Sequence, residues 1–226
     1  MANHPSRLRE RQRLELRRDI HAALLELSAE VGYAQVTVDQ ISTHVGISPR
    51  TFFNYFPTKD SAAVSDPLGT LDEDETARFL EQTSNDPHTV LVELTETLVE
   101  HLDRHEPDCA DVHAVLALAQ QNPTVFQALV AQLDHRRMEI TEIVRRRLDP
   151  TVDPQLAELI GALAMAAVRS GVQAWSEGGR ARRVRNPGSP VPHVRHALDL
   201  MGTLIPRAWQ APTASSTPST TKKELP

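Results

Sequence analysis

The segment at residues 37–56, TVDQISTHVGISPRTFFNYF, constrains the fold most, because its pattern fits two short helices joined by a tight turn. Its apolar side chains recur at helical spacing and are expected to face inward. They are Val38, Ile41, Val45, Ile47, Phe52 and Tyr55. Gly46 stands at the turn, where a positive φ disfavours side chains, and the small Ser42 lies where the helices approach most closely. The segment therefore predicts a helix-turn-helix.

The polar residues of this segment suit contacts with DNA. Thr37 can cap the first helix, Ser48 can cap the second, and Pro49 suits a first helical position. The second helix presents polar side chains outward that can donate to phosphates or pair with base edges in a major groove. These are Ser48, Arg50, Thr51 and Asn54. An ordinary helical hairpin whose aromatic residues are only core is the alternative interpretation.

From about Arg13 to Ser65 the chain resembles the TetR family of transcriptional regulators. The resemblance includes the ending TFFNYFPTKD, in which an aromatic run closes the recognition helix and Thr58-Lys59-Asp60 opens the next helix. Two departures are mild: Ser42 stands where Ala is usual, and Val45 stands where a smaller residue is frequent. The resemblance implies a three-helix DNA-binding domain followed by a helical domain that binds an effector and dimerises.

The DNA contacts can be divided by the chemistry of the side chains. We expect Arg50, Thr51 and Asn54 to read bases. The residues expected mainly to hold phosphate are Thr37, Ser48, Tyr55 and Lys59.

The distribution of charge supports DNA binding at one end of the chain. The formal net charge is −6, which is unusual for a DNA-binding protein, but the charges are unevenly distributed along the sequence. Residues 1–18 carry six arginines against two glutamates, whereas residues 61–110 carry two arginines against thirteen acidic residues. We therefore expect DNA to meet the basic end, with the acidic middle turned away from phosphate. The alternative for the arginine-rich start is a solvated helix surface.

The helical periodicity predicts an all-α chain, because no strand pattern competes with it. Helices are expected near 11–31, 72–83, 87–105, 109–121, 123–148, 153–177 and 191–208, with prolines at the joints. The predicted organisation is a basic arm at 1–12, a DNA-binding domain at 13–66, an effector-binding and dimerisation domain at 67–209 and a disordered tail at 210–226.

The predicted helix at 153–177 is rich in small residues, which allow close helix approach across more than one face. They include Gly161, Ala162, Ala164, Ala166, Ala167, Ser170 and Gly171. The resemblance implies that this helix and the one at 191–208 form a four-helix dimer interface. A central helix of a monomer is the alternative. The basic segment between them is expected to be a mobile surface loop, and contact of its arginines with DNA is the less favoured alternative.

The middle helices carry aliphatic stripes, which periodicity alone assigns to the core. A regulator resembling this family holds an effector among such helices. The candidate pocket residues are Leu94, Leu98, Leu118, Phe126 and Leu129. Because the chain has few aromatic and many aliphatic residues, an apolar or acyl-chain effector is favoured over a flat polycyclic one.

No motif for catalysis or for a bound cofactor occurs in the chain. It lacks a phosphate-binding Gly loop, a serine-nucleophile elbow, an HExxH helix and paired CxxC sequences. His101, His105, Cys109 and His113 are spaced by four and would align as metal ligands on an unbroken helix, but Pro107 interrupts them. We therefore interpret them as polar residues near a helix end, with a metal site as the alternative. No catalytic residue, cofactor or metal ligand is predicted.

The location expected from the sequence is the cytoplasm. A single cysteine excludes an internal disulfide and suits a reducing compartment. The N-terminus has no apolar signal core, and the longest apolar run, residues 159–168, is too short to cross a bilayer.

The sequence predicts a homodimeric regulator that binds a double-stranded DNA operator, most often as a repressor in this family, and is released by a small apolar effector. Two alternative functions are also compatible with the sequence. One is a small-molecule or metal-sensing protein with a vestigial DNA-binding domain, and the other is a helical enzyme.

Overall fold

The computed structural model describes residues 4–65, 71–105, 107–182 and 188–204, and every regular element within these ranges is helical. The α-helices are α1 His4–Val31, α2 Val38–Val45, α3 Pro49–Tyr55, α4 Lys59–Ala63, α5 Glu73–Glu81, α6 Pro87–His105, α7 Cys109–Gln121, α8 Pro123–Arg147, α9 Pro154–Arg182 and α10 Val191–Leu204. A 3₁₀ turn at Tyr33–Gln35 separates α1 from α2. The predicted all-α fold class is confirmed.

The helix starts follow from local sequence chemistry. Proline is the first residue of α3, α6, α8 and α9, where the missing amide hydrogen has no helical partner to lose. Reciprocal capping boxes begin α2, α4 and α5, at Thr37, Thr58 and Asp72. These signals explain why the predicted starts of α5 to α8 lie within one residue of the observed ones.

Two predicted boundaries differ from the structure. Helix α1 begins at His4, so the basic segment predicted as a separate arm at 1–12 is continuous with the first helix from that residue on. Helix α9 runs to Arg182, five residues beyond its predicted end. The boundary predicted between residues 66 and 67, part of the basic loop at 183–187 and the predicted tail at 210–226 lie outside the described residues.

The described side chains form two hydrophobic clusters. The larger one lies in the C-terminal helices, where α9 packs against α6, α7, α8 and α10. The second cluster lies under the helix-turn-helix. It contains residues of the first four helices together with Val115 and Ala119 of α7 and Val125 of α8. The DNA-binding domain predicted from the sequence therefore shares a core with the helices that follow it.

Helix α9 contains the segment Pro154–Gly179, which is long and apolar enough to cross a membrane by length and composition alone. Within this chain it lies in the C-terminal core, and Trp175 is almost fully buried there, with its indole N–H donating to the Gly188 carbonyl at 2.7 Å. Within this chain α9 packs against α6, α7, α8 and α10.

Candidate nucleic-acid interface

Helices α2 and α3 form the predicted helix-turn-helix, and the turn between them is fixed by Gly46. This residue has φ 80° and ψ 31°, a left-handed conformation that strains any residue with a side chain. The amide groups of Gly46 and Ile47 both donate to the Ser42 carbonyl at 2.9 Å, which closes the end of α2. The angle between the two helices is thus set by a glycine turn with satisfied hydrogen bonds.

The recognition helix α3 exposes one continuous face. Arg50 and Asn54, which are four residues apart, are exposed, and their side chains make no hydrogen bond or ion pair with the part of the chain that the structure describes. Phe53 lies between them on the same face and is 54% exposed. The opposite face buries Phe52 completely in the cluster beneath. This face therefore offers a cation, an amide and an apolar ring, which together can pair with base edges and contact a thymine methyl group.

Ser48 and Thr37 serve first as local helix caps, and Thr51 is bonded by the Ser48 cap. The Ser48 hydroxyl accepts the Thr51 amide at 3.0 Å and lies 2.8 Å from the Thr51 hydroxyl. The Thr37 hydroxyl accepts the Gln40 amide at 3.2 Å, and Gln40 in return accepts the Thr37 amide. Thr51 is half-buried, whereas Ser48 and Thr37 are exposed. Of the three side chains predicted to read bases, Arg50 and Asn54 are thus the two without such a local bond.

Lys59 is held against the protein at the start of α4. Its ammonium group donates to the carbonyls of Tyr33 and Val36 at 2.8 and 2.9 Å and lies 4.2 Å from the centre of the Tyr33 ring. Burial lowers the pKa of Lys59, and the neighbouring Asp60 carboxylate opposes that shift. Lys59, predicted mainly to hold phosphate, also fixes α4 to the 3₁₀ turn.

Arg17 of α1 supports the far end of the recognition helix. Its guanidinium donates to the Tyr55 carbonyl at 2.9 Å and stacks 4.3 Å from the centre of the Phe56 ring. Burial, together with the charge of Arg13, lowers the pKa of Arg17. Tyr55 is half-buried beside this contact. Arg17 therefore orients α3, a role different from that of the exposed Arg9, Arg13 and Arg18.

Sequence reasoning missed Phe53 and Arg17 as functional candidates. Phe53 had a usable signal, because it lies three residues after Arg50 and so shares its helical face. Arg17 had none, since it was one of six similar arginines and its partner lies 38 residues away.

The five residues predicted to line an effector pocket are not brought together. Leu94 and Leu98 are buried in the C-terminal cluster. Leu118 and Leu129 pack against the cluster under the helix-turn-helix instead, and Phe126 is 54% exposed. The predicted pocket is thus divided between the two clusters and the surface.

A polar contact joins the DNA-binding helices to α8. The Asp60 carboxylate accepts hydrogen bonds from the Tyr33 hydroxyl and, at 3.1 Å, from the Thr124 hydroxyl. Burial, and then the hydrogen bond to Asp60, raise the pKa of Tyr33, so the phenol stays a neutral donor. Because Tyr33 precedes α2, Asp60 lies in α4 and Thr124 is in the first turn of α8, this contact connects the N-terminal helices to the C-terminal ones.

The N-terminal helices are similar to known proteins. Residues 20–61, which contain α2, α3 and the residues that support them, match the family described as bacterial regulatory proteins, tetR family. A relative is the HTH-type transcriptional regulator TcmR of Streptomyces glaucescens, 38% identical over 66 residues. That match covers 29% of this chain and 29% of TcmR, so the chain spans under a third of the curated relative that it matches.

Solved structures of bacterial regulators are similar to this chain at low TM-scores. A TetR-family transcriptional regulator from Streptomyces coelicolor is 23% identical, with 84% of this chain and 81% of that chain covered and a TM-score of 0.41. FadR of Thermus thermophilus, a TetR-family transcriptional repressor solved with lauroyl-CoA, is 21% identical, with 87% and 99% covered and a TM-score of 0.41.

Proposed function

We propose that this chain is a sequence-specific, DNA-binding transcriptional regulator, because residues 20–61 match the tetR family of bacterial regulatory proteins. The observation that carries the proposal is the exposed face of α3, where Arg50, Phe53 and Asn54 stand outward on a helix that is braced from behind by Phe52 and Arg17. A rigid support for outward side chains is what reading base edges requires.

The charge distribution fits a complex in which DNA approaches from the side of α1 and α3. Arg9, Arg13 and Arg18 are exposed on α1, the helix that packs on α2. Such arginines supply sequence-independent attraction to phosphate, while the base contacts of α3 supply specificity. The acidic segment lies in α5 and α6, beyond the DNA-binding helices.

We further propose that the C-terminal helices bind a small apolar effector that releases the DNA, and that the protein works in the cytoplasm as a repressor. The shared cluster at Val115, Ala119 and Val125 and the Asp60–Thr124 contact give the C-terminal helices a direct mechanical connection to the helix-turn-helix. An effector acts through this connection if it binds more tightly to a conformation that no longer fits DNA.

Base reading is tested by substitution on the exposed face of α3. A preferred duplex selected from a randomised pool serves as the operator, and affinity is measured by mobility shift on that duplex and on random DNA. Arg50→Ala and Asn54→Ala are each expected to cost about 1–3 kcal/mol on the preferred duplex and much less on random DNA. Arg145→Ala, which removes an exposed arginine of α8, is the matched control and should leave both affinities unchanged. Equal losses on the two duplexes would show that these side chains hold phosphate only.

The outer faces of α9 and α10 are the proposed dimer interface. Only 39% of an apolar 18-residue stretch of α9 is buried within this chain, and Leu200 of α10 is 49% exposed. Ala167 and Gly171, two of the small residues that suggested the interface, face the chain's own core instead. The interface is therefore proposed on the exposed apolar residues, including Leu159 and Leu200.

Assembly is tested by placing a charge on that face. We expect the unmodified protein to scatter light as a dimer at micromolar concentration, and Leu200→Arg to scatter as a folded monomer, because an unpaired charge cannot be buried between two copies. Val92 of α6 has the same 49% exposure, so Val92→Arg is the matched control and should stay dimeric. A dimeric Leu200→Arg variant would move the interface elsewhere.

A further inference from the structure

Glu75, His101 and His105 form a cluster of ligand-type side chains at one end of the C-terminal domain. One ligand atom from each residue lies within 4.8 Å of the others. The His101 Nδ1 atom is 2.8 Å from one Glu75 carboxylate oxygen and 3.1 Å from the other, and the two imidazole rings lie 4.2 Å apart. Glu75 and His101 are buried, and His105 is half-buried at the rim.

The Glu75 carboxylate is fully buried and therefore needs cationic or donor partners. In this structure they are the Asp72 amide, His101 and the guanidinium of Arg104, which lies 2.7 Å from a carboxylate oxygen. The Arg104 side chain is 41% exposed and has Glu100 as a second acidic neighbour at 3.9 Å. Outside the cluster, water and Glu100 are available to Arg104, and an arriving cation would replace its charge beside the Glu75 carboxylate.

The hydrogen bond of His105 fixes which of its nitrogens can bind a ligand. Its Nδ1 atom lies 2.9 Å from the His101 backbone carbonyl, which can only accept, so Nδ1 carries the proton. The Nε2 atom of the neutral ring then holds a lone pair. A histidine that donates one ring N–H to a backbone carbonyl while offering the other nitrogen is the usual form of a metal ligand.

The line of four residues seen in the sequence is divided by the joint at Pro107. His101 and His105 end α6 beside Glu75, whereas Cys109 begins α7 and its sulfur lies 3.7 Å from the His113 ring. The third ligand of the cluster is therefore Glu75, which lies 26 residues before His101 and does not belong to the pattern.

We propose that Glu75, His101 and His105 bind a divalent transition-metal ion, such as Zn²⁺, Ni²⁺ or Co²⁺, that takes the place of Arg104 on the Glu75 carboxylate. Two imidazoles and one carboxylate are ligands that these ions accept. Ligands about 2.0–2.2 Å from a tetrahedral ion lie about 3.3–3.6 Å apart, so the side chains must shift to form the site, with Glu75 and His101 moving slightly apart. Three protein ligands leave a position for water or a small anion.

The position of the site suggests how an ion could act on DNA binding, a step that rests on the proposed function. His105 is the last residue of α6, and α7 starts four residues later and packs on α1. An ion that draws His105 toward Glu75 shifts the joint between α6 and α7, and thereby the packing of α7 against the DNA-binding helices. Bound metal should then change operator affinity.

Metal binding by the full chain is the first test. The protein is treated with a chelator, dialysed and titrated with Zn²⁺, Ni²⁺ and Co²⁺ separately, and bound metal is measured by calorimetry and by elemental analysis. We expect one tight equivalent per chain. His105→Gln and Glu75→Gln should weaken it at least about tenfold. Glu75→Gln preserves the capping box of α5, since glutamine can serve at that position. His105→Gln, at a half-buried position, provides the same test if Glu75→Gln fails to fold.

Two further variants separate a built site from adventitious binding by the chain's ten histidines. Arg104→Gln removes the competing cation and should tighten metal binding severalfold, whereas a purely structural ion pair predicts no gain. His135→Gln removes an exposed histidine that pairs with Glu139 and should leave binding unchanged. The proposal is overturned if His135→Gln weakens binding as much as His105→Gln does, or if Arg104→Gln does not tighten it. Because these titrations contain no DNA, their outcome is independent of whether the chain binds an operator.

Discussion

Replacing Arg147 with alanine is expected to destabilise the C-terminal domain by about 3–5 kcal/mol, because it leaves buried polar groups without their partner. Arg147, near the end of α8, is buried and donates to the Phe79 carbonyl at 3.2 Å, to the Ser84 carbonyl at 2.9 Å and to the Glu93 carboxylate. Its guanidinium also lies 4.7 Å from the centre of the Phe79 ring. One side chain thus joins α8 to α5, to the segment after α5 and to α6.

Thermal unfolding measures this effect. At roughly 2–4 °C per kcal/mol for a chain of this size, Arg147→Ala should lower the melting temperature by roughly 6–20 °C. Arg145 lies two residues earlier on the same helix and makes only an exposed ion pair with Glu142, so Arg145→Ala should change stability by less than about 1 kcal/mol. Arg147→Lys should lose most of the same stability, because an ammonium group cannot reproduce the planar set of donors. Similar melting temperatures for the two alanine variants would show that the buried network contributes nothing beyond a surface pair.

The helix-turn-helix was predictable because its determinants lie within twenty residues of sequence. Gly46 takes the left-handed conformation that the turn requires, and Thr37 and Ser48 cap the helices as predicted. The helix boundaries were predictable for the same reason, since prolines and capping residues act on their own first turn. Local chemistry is visible in a single sequence without knowledge of the tertiary packing.

The residues that make long-range polar contacts within each domain were not predictable in this way. Arg17, Lys59 and Glu75 act on partners between 23 and 38 residues distant, and no local pattern marks which arginine, lysine or glutamate will find such a partner. The candidate metal site shows the consequence most clearly. The histidines were noticed by their spacing, but the carboxylate that makes them a possible site is supplied by another helix.

The prediction of the effector-pocket residues was limited by a different ambiguity. The spacing of leucines identifies the inward face of a helix, but it does not tell which of two hydrophobic clusters that face enters. Leu98 of α6 and Leu118 of α7 have similar patterns around them, yet the first belongs to the C-terminal cluster and the second packs under the helix-turn-helix. The pocket residues named from the sequence therefore stay a prediction, to be tested by binding of apolar ligands.

Replacing Gly171 with alanine is expected to separate α9 from α10 and to destabilise the fold by about 3 kcal/mol, at the upper end of overpacking costs. An added Cβ atom at Gly171 would lie 2.4 Å from the Val194 Cα atom and 2.5 Å from its backbone nitrogen. Backbone atoms cannot rotate away as a flexible side chain can, so the two helices must move apart. Val194 is fully buried at this contact, and its packing is lost as they do.

A second glycine of α9 provides the control. Gly178 has no atom within 4 Å of an added Cβ and no positive φ, so Gly178→Ala should stabilise the helix by up to about 1 kcal/mol through propensity alone. The two variants thus make the same chemical change in one helix and are expected to shift the melting temperature in opposite directions. If Gly171→Ala also raised the melting temperature, the close approach of α9 and α10 would be wrong.

Because the proposed dimer face is formed by these two helices, we expect Gly171→Ala to weaken dimerisation as well, and Gly178→Ala to preserve it. Light scattering at several concentrations, below the melting temperature of both variants, distinguishes the two.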